Sequence, residues 1–195
     1  MKSEIYNRSI DTRELQLTNF GDKVSHFSIV GYLLIFPTAI FCFHFIDIVQ
    51  GNPLSFREGE ILFVIIPVVL SIIAYVVQKQ RLKYKVIRTK LKKERLKELI
   101  VEVAKDLDWE RGSFSEKTYT SYTNPRWWSG SWGEQITILF SEDHVFINSI
   151  CDLNKKSSVV SWGRNKRNEN ALIEKIKNAN QSVEEQAELS SKNLL

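Results

Sequence analysis

The sequence predicts a membrane-embedded pair of α-helices followed by a small cytoplasmic α+β module, in which an antiparallel meander of strands is flanked by helices. Two apolar blocks followed by a strongly basic stretch predict the anchor, and mixed strand-like and helix-like patterns predict the module. The predicted segments are an amino-terminal cytoplasmic arm (1–26), a two-helix transmembrane hairpin (27–78), a basic juxtamembrane helix (79–94), the α+β module (95–187) and a polar tail (188–195).

The first apolar block, residues 27–49, has only His44 and Asp47 as acidic or basic side chains, both near its end. Its 23 residues are enough to cross a hydrocarbon core of about 30 Å. The second block, residues 61–77, has no charged side chain and lies at the lower edge of the usual length. A buried soluble helix is the competing interpretation, but the chain offers it little apolar surface except the first block. We therefore predict two spans joined by the turn-forming residues 51–55.

The orientation of the spans follows from Lys and Arg near their ends. Arg8, Arg13 and Lys23 precede the first block, and Arg57 lies in the connector. Residues 79–97 carry ten Lys or Arg and a single acid. Because cytoplasmic loops are enriched in Lys and Arg, both termini are predicted to be cytoplasmic, in an inner or plasma membrane. The apolar block begins too late and is too long for a cleaved signal peptide.

The cations after the second span are predicted to face the membrane surface. They attract anionic lipids by about 1 kcal/mol each when screening is low. Selection for topology alone explains such a run equally well. No nucleic-acid partner is expected, because these cations are held within a Debye length of the bilayer. The predicted membrane-surface residues, called the basic segment below, are Lys83, Lys85, Arg88, Lys90, Lys92 and Lys93.

Residues 80–107 are mostly good helix formers and contain no Gly or Pro. The spacing of Leu96, Leu99 and Val103 predicts an apolar stripe that covers a sheet. A helix continuous with the second span would extend about 40 Å beyond the membrane, at 1.5 Å per residue. That length favours a break within residues 84–93.

Strand-like sequence follows this helix, and a second amphipathic helix ends the module. Residues 169–187 have helical spacing of apolar side chains, with Asn168 available as an N-cap. A short polar stretch at 141–144 predicts a hairpin connection. The predicted strands are residues 114–122, 135–140, 145–150 and 157–162.

Three tryptophans within six residues are the least ordinary feature of the predicted module. They fit a platform for a planar or anionic ligand, or a belt that dips into lipid headgroups. They equally fit a bent hairpin whose indoles fill a small core. A turn before the last helix combines Gly and cations in the manner of a phosphate-receiving turn, without a P-loop or dinucleotide motif. The predicted ligand or partner surface, called the Trp/Arg surface below, comprises Arg126, Trp127, Trp128, Trp132 and Arg164.

Neither a catalytic motif nor a cofactor or metal site is predicted. His44 and Asp47 are three residues apart and share a helix face, as in intramembrane proton or ion paths, but they lie close to water. Cys42 and Cys151 are too distant to build a disulfide framework or a Cys-His metal site.

The function predicted from these features is that of a non-catalytic integral membrane protein. Its cytoplasmic module would bind or scaffold an unknown protein partner or small ligand. The alternative is a membrane effector, in which ligand capture alters packing of the hairpin and perturbs the bilayer. An enzyme that modifies lipid headgroups ranks third. The sequence permits an oligomer without specifying its size.

Overall fold

The computed structural model describes residues 1–125, 132–155 and 163–192, with side chains as far as residue 186. It divides into two compact units, residues 17–80 (the hairpin unit) and residues 1–16 with 81–195 (the sheet unit). The described helices and strands are α1 (Ser3–Thr12), α2 (Phe20–Val49), α3 (Glu60–Arg81), β1 (Lys85–Arg88), α4 (Lys93–Asp106), β2 (Trp109–Phe114), β3 (Thr118–Thr123), β4 (Glu134–Phe140), β5 (His144–Cys151) and α5 (Arg164–Lys192).

The hairpin unit consists of α2 and α3, two helices long and apolar enough to cross a membrane. Only 6% of the most apolar stretch of each helix is buried. Large apolar side chains point outward on both helices, and Phe36 and Phe63 are each 69% exposed. The prediction of two long apolar helices is therefore confirmed.

The sheet unit contains a five-stranded antiparallel sheet with the strand order β1-β5-β4-β3-β2. Strands β2 to β5 follow one another as a meander, and β1 pairs with β5 at the opposite edge. In the register of the central strands, Ile138 is opposite Ile147 on one side and Tyr119 on the other. The predicted antiparallel sheet with helices is confirmed, and the predicted strands 135–140 and 145–150 correspond to β4 and β5.

The main core lies between one face of the sheet and helices α4 and α5. Alternate residues of β4 and β5 point to this face, since side chains of a strand alternate between its two sides. The predicted stripe of α4 covers them, as does the apolar stripe of α5. The buried cluster includes Leu96, Leu99, Ile100, Val103, Ile136, Ile138, Val145, Ile147, Leu172 and Ile176.

The amino-terminal residues 1–16 belong to the sheet unit. The Tyr6 hydroxyl donates a hydrogen bond of 2.6 Å to the backbone carbonyl of Phe140. The Leu15 amide donates to the Leu82 carbonyl at 2.7 Å. The first residues of the chain therefore attach to the sheet and to the segment that precedes β1.

The helix predicted for residues 79–94 is interrupted within the predicted break at 84–93, and it is wrong in its centre because Lys85–Arg88 form strand β1. β1 pairs with β5 over four residues, and the next helix begins only at Lys93. Val86 and Ile87 are β-branched and suit a strand. The free edge of β5 supplies the backbone partners that make the strand more stable than the helix favoured by the flanking lysines.

The predicted strand 114–122 is two strands in the structure, because the chain turns between β2 and β3. The Ser115 amide donates to the Thr118 carbonyl at 2.8 Å and closes this turn. Most of β2 was missed, since Trp109–Phe114 has no alternation of apolar and polar residues. A register shift between Glu110 and Ser113 further interrupts its pattern.

The prediction that Asn168 is the N-cap of the last helix is wrong, because α5 begins at Arg164. Its side chain is buried inside the unit. Its Oδ1 accepts a hydrogen bond from Trp109 Nε1 at 3.2 Å, and its Nδ2 donates to Ser149 Oγ at 3.2 Å. The predicted strand 157–162 lies outside the described residues.

Candidate functional site

The Trp/Arg surface is described in part, because Arg126, Trp127 and Trp128 lie outside the described residues. Trp132 is half exposed, two residues before β4 begins. Arg164 is the first residue of α5. Its Nε lies 3.2 Å from a carboxylate oxygen of Glu134, the first residue of β4. The structure therefore brings Arg164 to the strand end that follows Trp132.

Glu134 is the residue around which this strand end is organised, and its side chain is fully buried. The Thr123 hydroxyl donates to the same Glu134 oxygen that Arg164 contacts. The Glu134 amide in turn donates to the Thr123 hydroxyl at 2.8 Å. A buried carboxylate is stable only when it is paired and hydrogen-bonded, and both conditions are met. Glu134 was not among the predicted site residues, although an acid at the start of an apolar strand was the available signal in the sequence.

Gly133 allows the ends of β3 and β4 to approach closely. Its φ of +133° lies outside the region that other residues adopt readily. A Cβ at this position would lie 2.6 Å from the Thr123 carbonyl oxygen and 3.1 Å from Lys155 Nζ. Lys155 Nζ donates to Asn124 Oδ1 at 2.8 Å. Cationic and amide groups therefore surround this strand end next to Trp132.

Polar contacts hold three elements together at this strand end. The Glu134 carboxylate is bound by Arg164 and Thr123, so it joins the start of β4 to the end of β3 and to the start of α5. Among the described residues, no group of three or more His, Cys, Asp or Glu side chains could hold a metal ion.

A second polar cluster lies inside the sheet unit, next to the main core. Ser149 Oγ donates to Asn165 Oδ1 at 3.1 Å, and the Ser149 amide donates to Glu169 Oε1 at 3.0 Å. Burial raises the pKa of the Glu169 carboxyl, while the Ser149 hydrogen bond and the Lys85 charge act in the opposite direction. Ser149 therefore joins β5 to α5 through its hydroxyl and its backbone amide.

The basic segment lies on β1 and on the residues flanking it, and five of its six side chains are exposed. Arg88 Nε lies 3.8 Å from Asp143 Oδ2, and Lys90 Nζ lies 3.2 Å from Glu184 Oε1. These four side chains are each more than half exposed to solvent. Solvent-exposed ion pairs are weak, because water and salt screen the charges.

The backbone of this region is held more firmly than its charges, through Asn180 of α5. Asn180 Oδ1 accepts hydrogen bonds from the Thr89 hydroxyl at 3.0 Å and the Lys90 amide at 3.3 Å. Asn180 Nδ2 donates to the Arg88 carbonyl at 3.3 Å. The Thr89 amide also donates to the Asp143 carbonyl at 2.9 Å. The helical spacing of residues 169–187 gave no signal for this role of Asn180.

In the hairpin unit, His44 pairs with a residue other than its predicted neighbour Asp47. His44 Nε2 lies 3.0 Å from Glu60 Oε1, so the contact joins α2 to α3. The Arg57 amide donates to the second Glu60 oxygen at 2.8 Å. Asp47 instead lies 3.5 Å from the Asn52 side-chain amide. The His44 and Asp47 side chains therefore contact different partners near the turn and not each other.

Together these features define a two-unit protein, with a pair of candidate membrane-spanning helices and an α+β unit built on an antiparallel sheet. No protein-family model matches the sequence. No curated protein and no solved structure matches it either.

Proposed function

We propose that the chain is a non-catalytic integral membrane protein of the inner or plasma membrane. Its hairpin unit spans the bilayer, and its sheet unit is a cytoplasmic module that binds a protein partner or a small ligand. The observation that carries the proposal is the inside-out polarity of the hairpin unit. Its large apolar side chains point outward, whereas His26 and Gln78 are buried and bonded to each other.

A lipid environment explains this polarity. Outward-facing Phe, Ile and Val side chains over two helices would form an apolar patch far larger than soluble monomers tolerate. In hydrocarbon the same side chains are solvated by lipid tails, and polar groups need partners within the protein. The distribution of Lys and Arg supports cytoplasmic termini, since the connector contains only Arg57.

The binding role of the sheet unit is supported by the strand ends around Glu134. A half-exposed indole at Trp132 lies close in the chain to the hydrogen-bonded cluster of Glu134 and Arg164. Tryptophan contributes strongly at binding surfaces, because it offers a large contact area. Lys155 donates to the neutral Asn124 side chain and adds positive charge, which favours an anionic or planar partner group.

Cysteine labelling tests the membrane topology. In a variant with Cys42 and Cys151 changed to Ser, single cysteines are placed at Ser55 in the connector and at Ser191 near the carboxyl terminus. A membrane-impermeant maleimide should label the Ser55→Cys protein in intact cells and the Ser191→Cys protein only after lysis. Labelling of Ser191→Cys in intact cells would contradict the proposed orientation.

Photocrosslinking tests the binding surface. A photoreactive phenylalanine analogue at Trp132 should capture a defined partner in native membranes, since this position is exposed beside the paired strand end. The matched control carries the same analogue at Phe114, an exposed aromatic residue on the edge strand β2. Equal crosslinking from both positions would show that the capture is unspecific.

A further inference from the structure

We propose that Asp143 and Glu184 form an intramolecular shield that competes with an anionic lipid surface for Arg88 and Lys90. The proposal rests on the membrane location proposed above and concerns the regulation of the basic segment. Each acid contacts one cation of that segment, at 3.8 Å for Arg88 and 3.2 Å for Lys90. The two acids come from different parts of the fold, the β4–β5 turn and helix α5.

The two kinds of contact in this region differ in strength, and the difference permits exchange. Both ion pairs are well exposed, so each is about as weak as the attraction of one cation to an anionic leaflet. The Arg88 and Lys90 side chains can therefore change partner at little cost. The backbone between them cannot, because Asn180 and the Asp143 carbonyl hold it through several hydrogen bonds.

The result is a fixed backbone that carries exchangeable charges. When anionic lipid is scarce, Asp143 and Glu184 neutralise the two cations. When it is abundant, the lipid phosphates take their place. Glu184 is then left in solvent, and Asp143 keeps its contact with His144 Nδ1 at 2.6 Å. The other cations of the basic segment, including Lys83 and Lys92, have no acid within ion-pair distance among the described residues. The shield therefore sets the density of anionic lipid at which the segment docks.

The test uses the full chain in nanodiscs of phosphatidylcholine with a rising fraction of phosphatidylglycerol. All proteins carry Cys42→Ser, Cys151→Ser and Glu94→Cys, the last labelled with an environment-sensitive dye next to the basic segment. Glu94 is exposed and lies in the first turn of α4. The midpoint of the change in dye emission measures the lipid fraction needed for docking.

Asp143→Asn with Glu184→Gln should lower this midpoint roughly two- to fivefold, because two weak ion pairs no longer compete. The matched control is Glu142→Gln with Glu185→Gln, which removes the same charge at neighbouring exposed positions. The control midpoint should stay near that of the reference protein. Hydrogen exchange of the Lys90 amide verifies that its contact with Asn180 is unchanged.

Two outcomes would contradict the shield and leave docking of the basic segment intact. An equal shift in the test and control variants would mean that net charge acts without the specific contacts. A transition in the reference protein that Asp143→Asn with Glu184→Gln leaves unchanged would show that the lipids do not compete with these acids. If the reference protein shows no transition at any lipid fraction, docking of the basic segment is itself refuted, and the shield with it.

Discussion

His26 and Gln78 are joined by two hydrogen bonds, in each of which the side chain of one residue contacts the backbone carbonyl of the other. His26 Nε2 lies 2.9 Å from the Gln78 carbonyl oxygen, and Gln78 Nε2 donates to the His26 carbonyl at 2.7 Å. Both residues are about 5% exposed. This contact and that of His44 with Glu60 join α2 to α3, whose other side chains are mostly apolar and outward-facing.

Gln78→Leu should weaken the association of α2 and α3 by about 0.5–2 kcal/mol, the usual range for a polar contact between helices in lipid. The Leu side chain keeps the apolar volume but donates no hydrogen bond. Steric trapping of the full chain in bicelles measures the free energy of helix separation. Gln80→Leu is the control, since Gln80 is exposed on the same helix. Equal effects of the two variants would show that the contact between His26 and Gln78 does not stabilise the helix pair.

Glu169→Gln should stabilise the sheet unit at neutral pH. Burial raises the pKa of Glu169, so the folded protein keeps this proton to a higher pH than the unfolded chain does. The free energy of unfolding therefore falls as pH rises from the ordinary carboxyl pKa through the raised one, by about 1.4 kcal/mol for each pKa unit. Glutamine still accepts the Ser149 hydrogen bond and carries no charge.

Chemical denaturation measures this effect between about pH 4, near the ordinary carboxyl pKa, and about pH 8. Glu169→Gln should reduce the decline of stability across that window, whereas Glu174→Gln, at an exposed position of α5, should leave it unchanged. A variant Glu169→Gln that is less stable than the parent at neutral pH would mean that attraction to Lys85 outweighs the cost of burial.

Trp109→Ala and Trp132→Ala should differ sharply in stability. Trp109 is 8% exposed, lies in the main core and donates to Asn168, so truncation should cost about 3–5 kcal/mol. Trp132 is 50% exposed, so its truncation should cost about 0.5 kcal/mol or less. Thermal melts of the full chain in detergent compare the two. A large loss in Trp132→Ala would show that the indole is structural.

Trp128→Ala should abolish partner capture while costing little stability if the Trp/Arg surface is a binding site. The same melts, extended to Trp127→Ala and Trp128→Ala, are compared with crosslinking from position 132. Unfolding of the Trp127, Trp128 and Trp132 variants alike would assign all three indoles to the core and remove support for the binding surface.

A soluble fragment of residues 81–195 should be more stable than one of residues 95–195. The longer fragment retains β1, which covers the edge of β5, and the Lys83 carbonyl, which accepts a hydrogen bond of 3.2 Å from Asn148 Nδ2. Without β1, the apolar strand β5 becomes an exposed edge that favours aggregation. Amide NMR dispersion and denaturation midpoints measure the difference. Equal midpoints would show that β1 contributes nothing to the sheet.

Several elements could be predicted from the sequence because their signals are local. The apolar blocks of α2 and α3 need only length and composition. Strands β4 and β5 show their β-branched and apolar residues directly, and the stripe of α4 repeats at helical spacing. In each case apolar residues repeat along the chain with the period of the helix or strand, so the sequence alone indicates the element.

Only the tertiary structure decided the features that depend on contacts between residues far apart in the sequence. β1 is a strand because the edge of β5 pairs with a four-residue segment whose flanking lysines favour a helix. Asn168 is buried and not a cap, since Trp109 lies 59 residues away in sequence yet within hydrogen-bonding distance. Arg164 and Glu134, 30 residues apart, form the paired strand end beside Trp132. Such contacts leave no local pattern, because their energy depends on groups that only folding brings together.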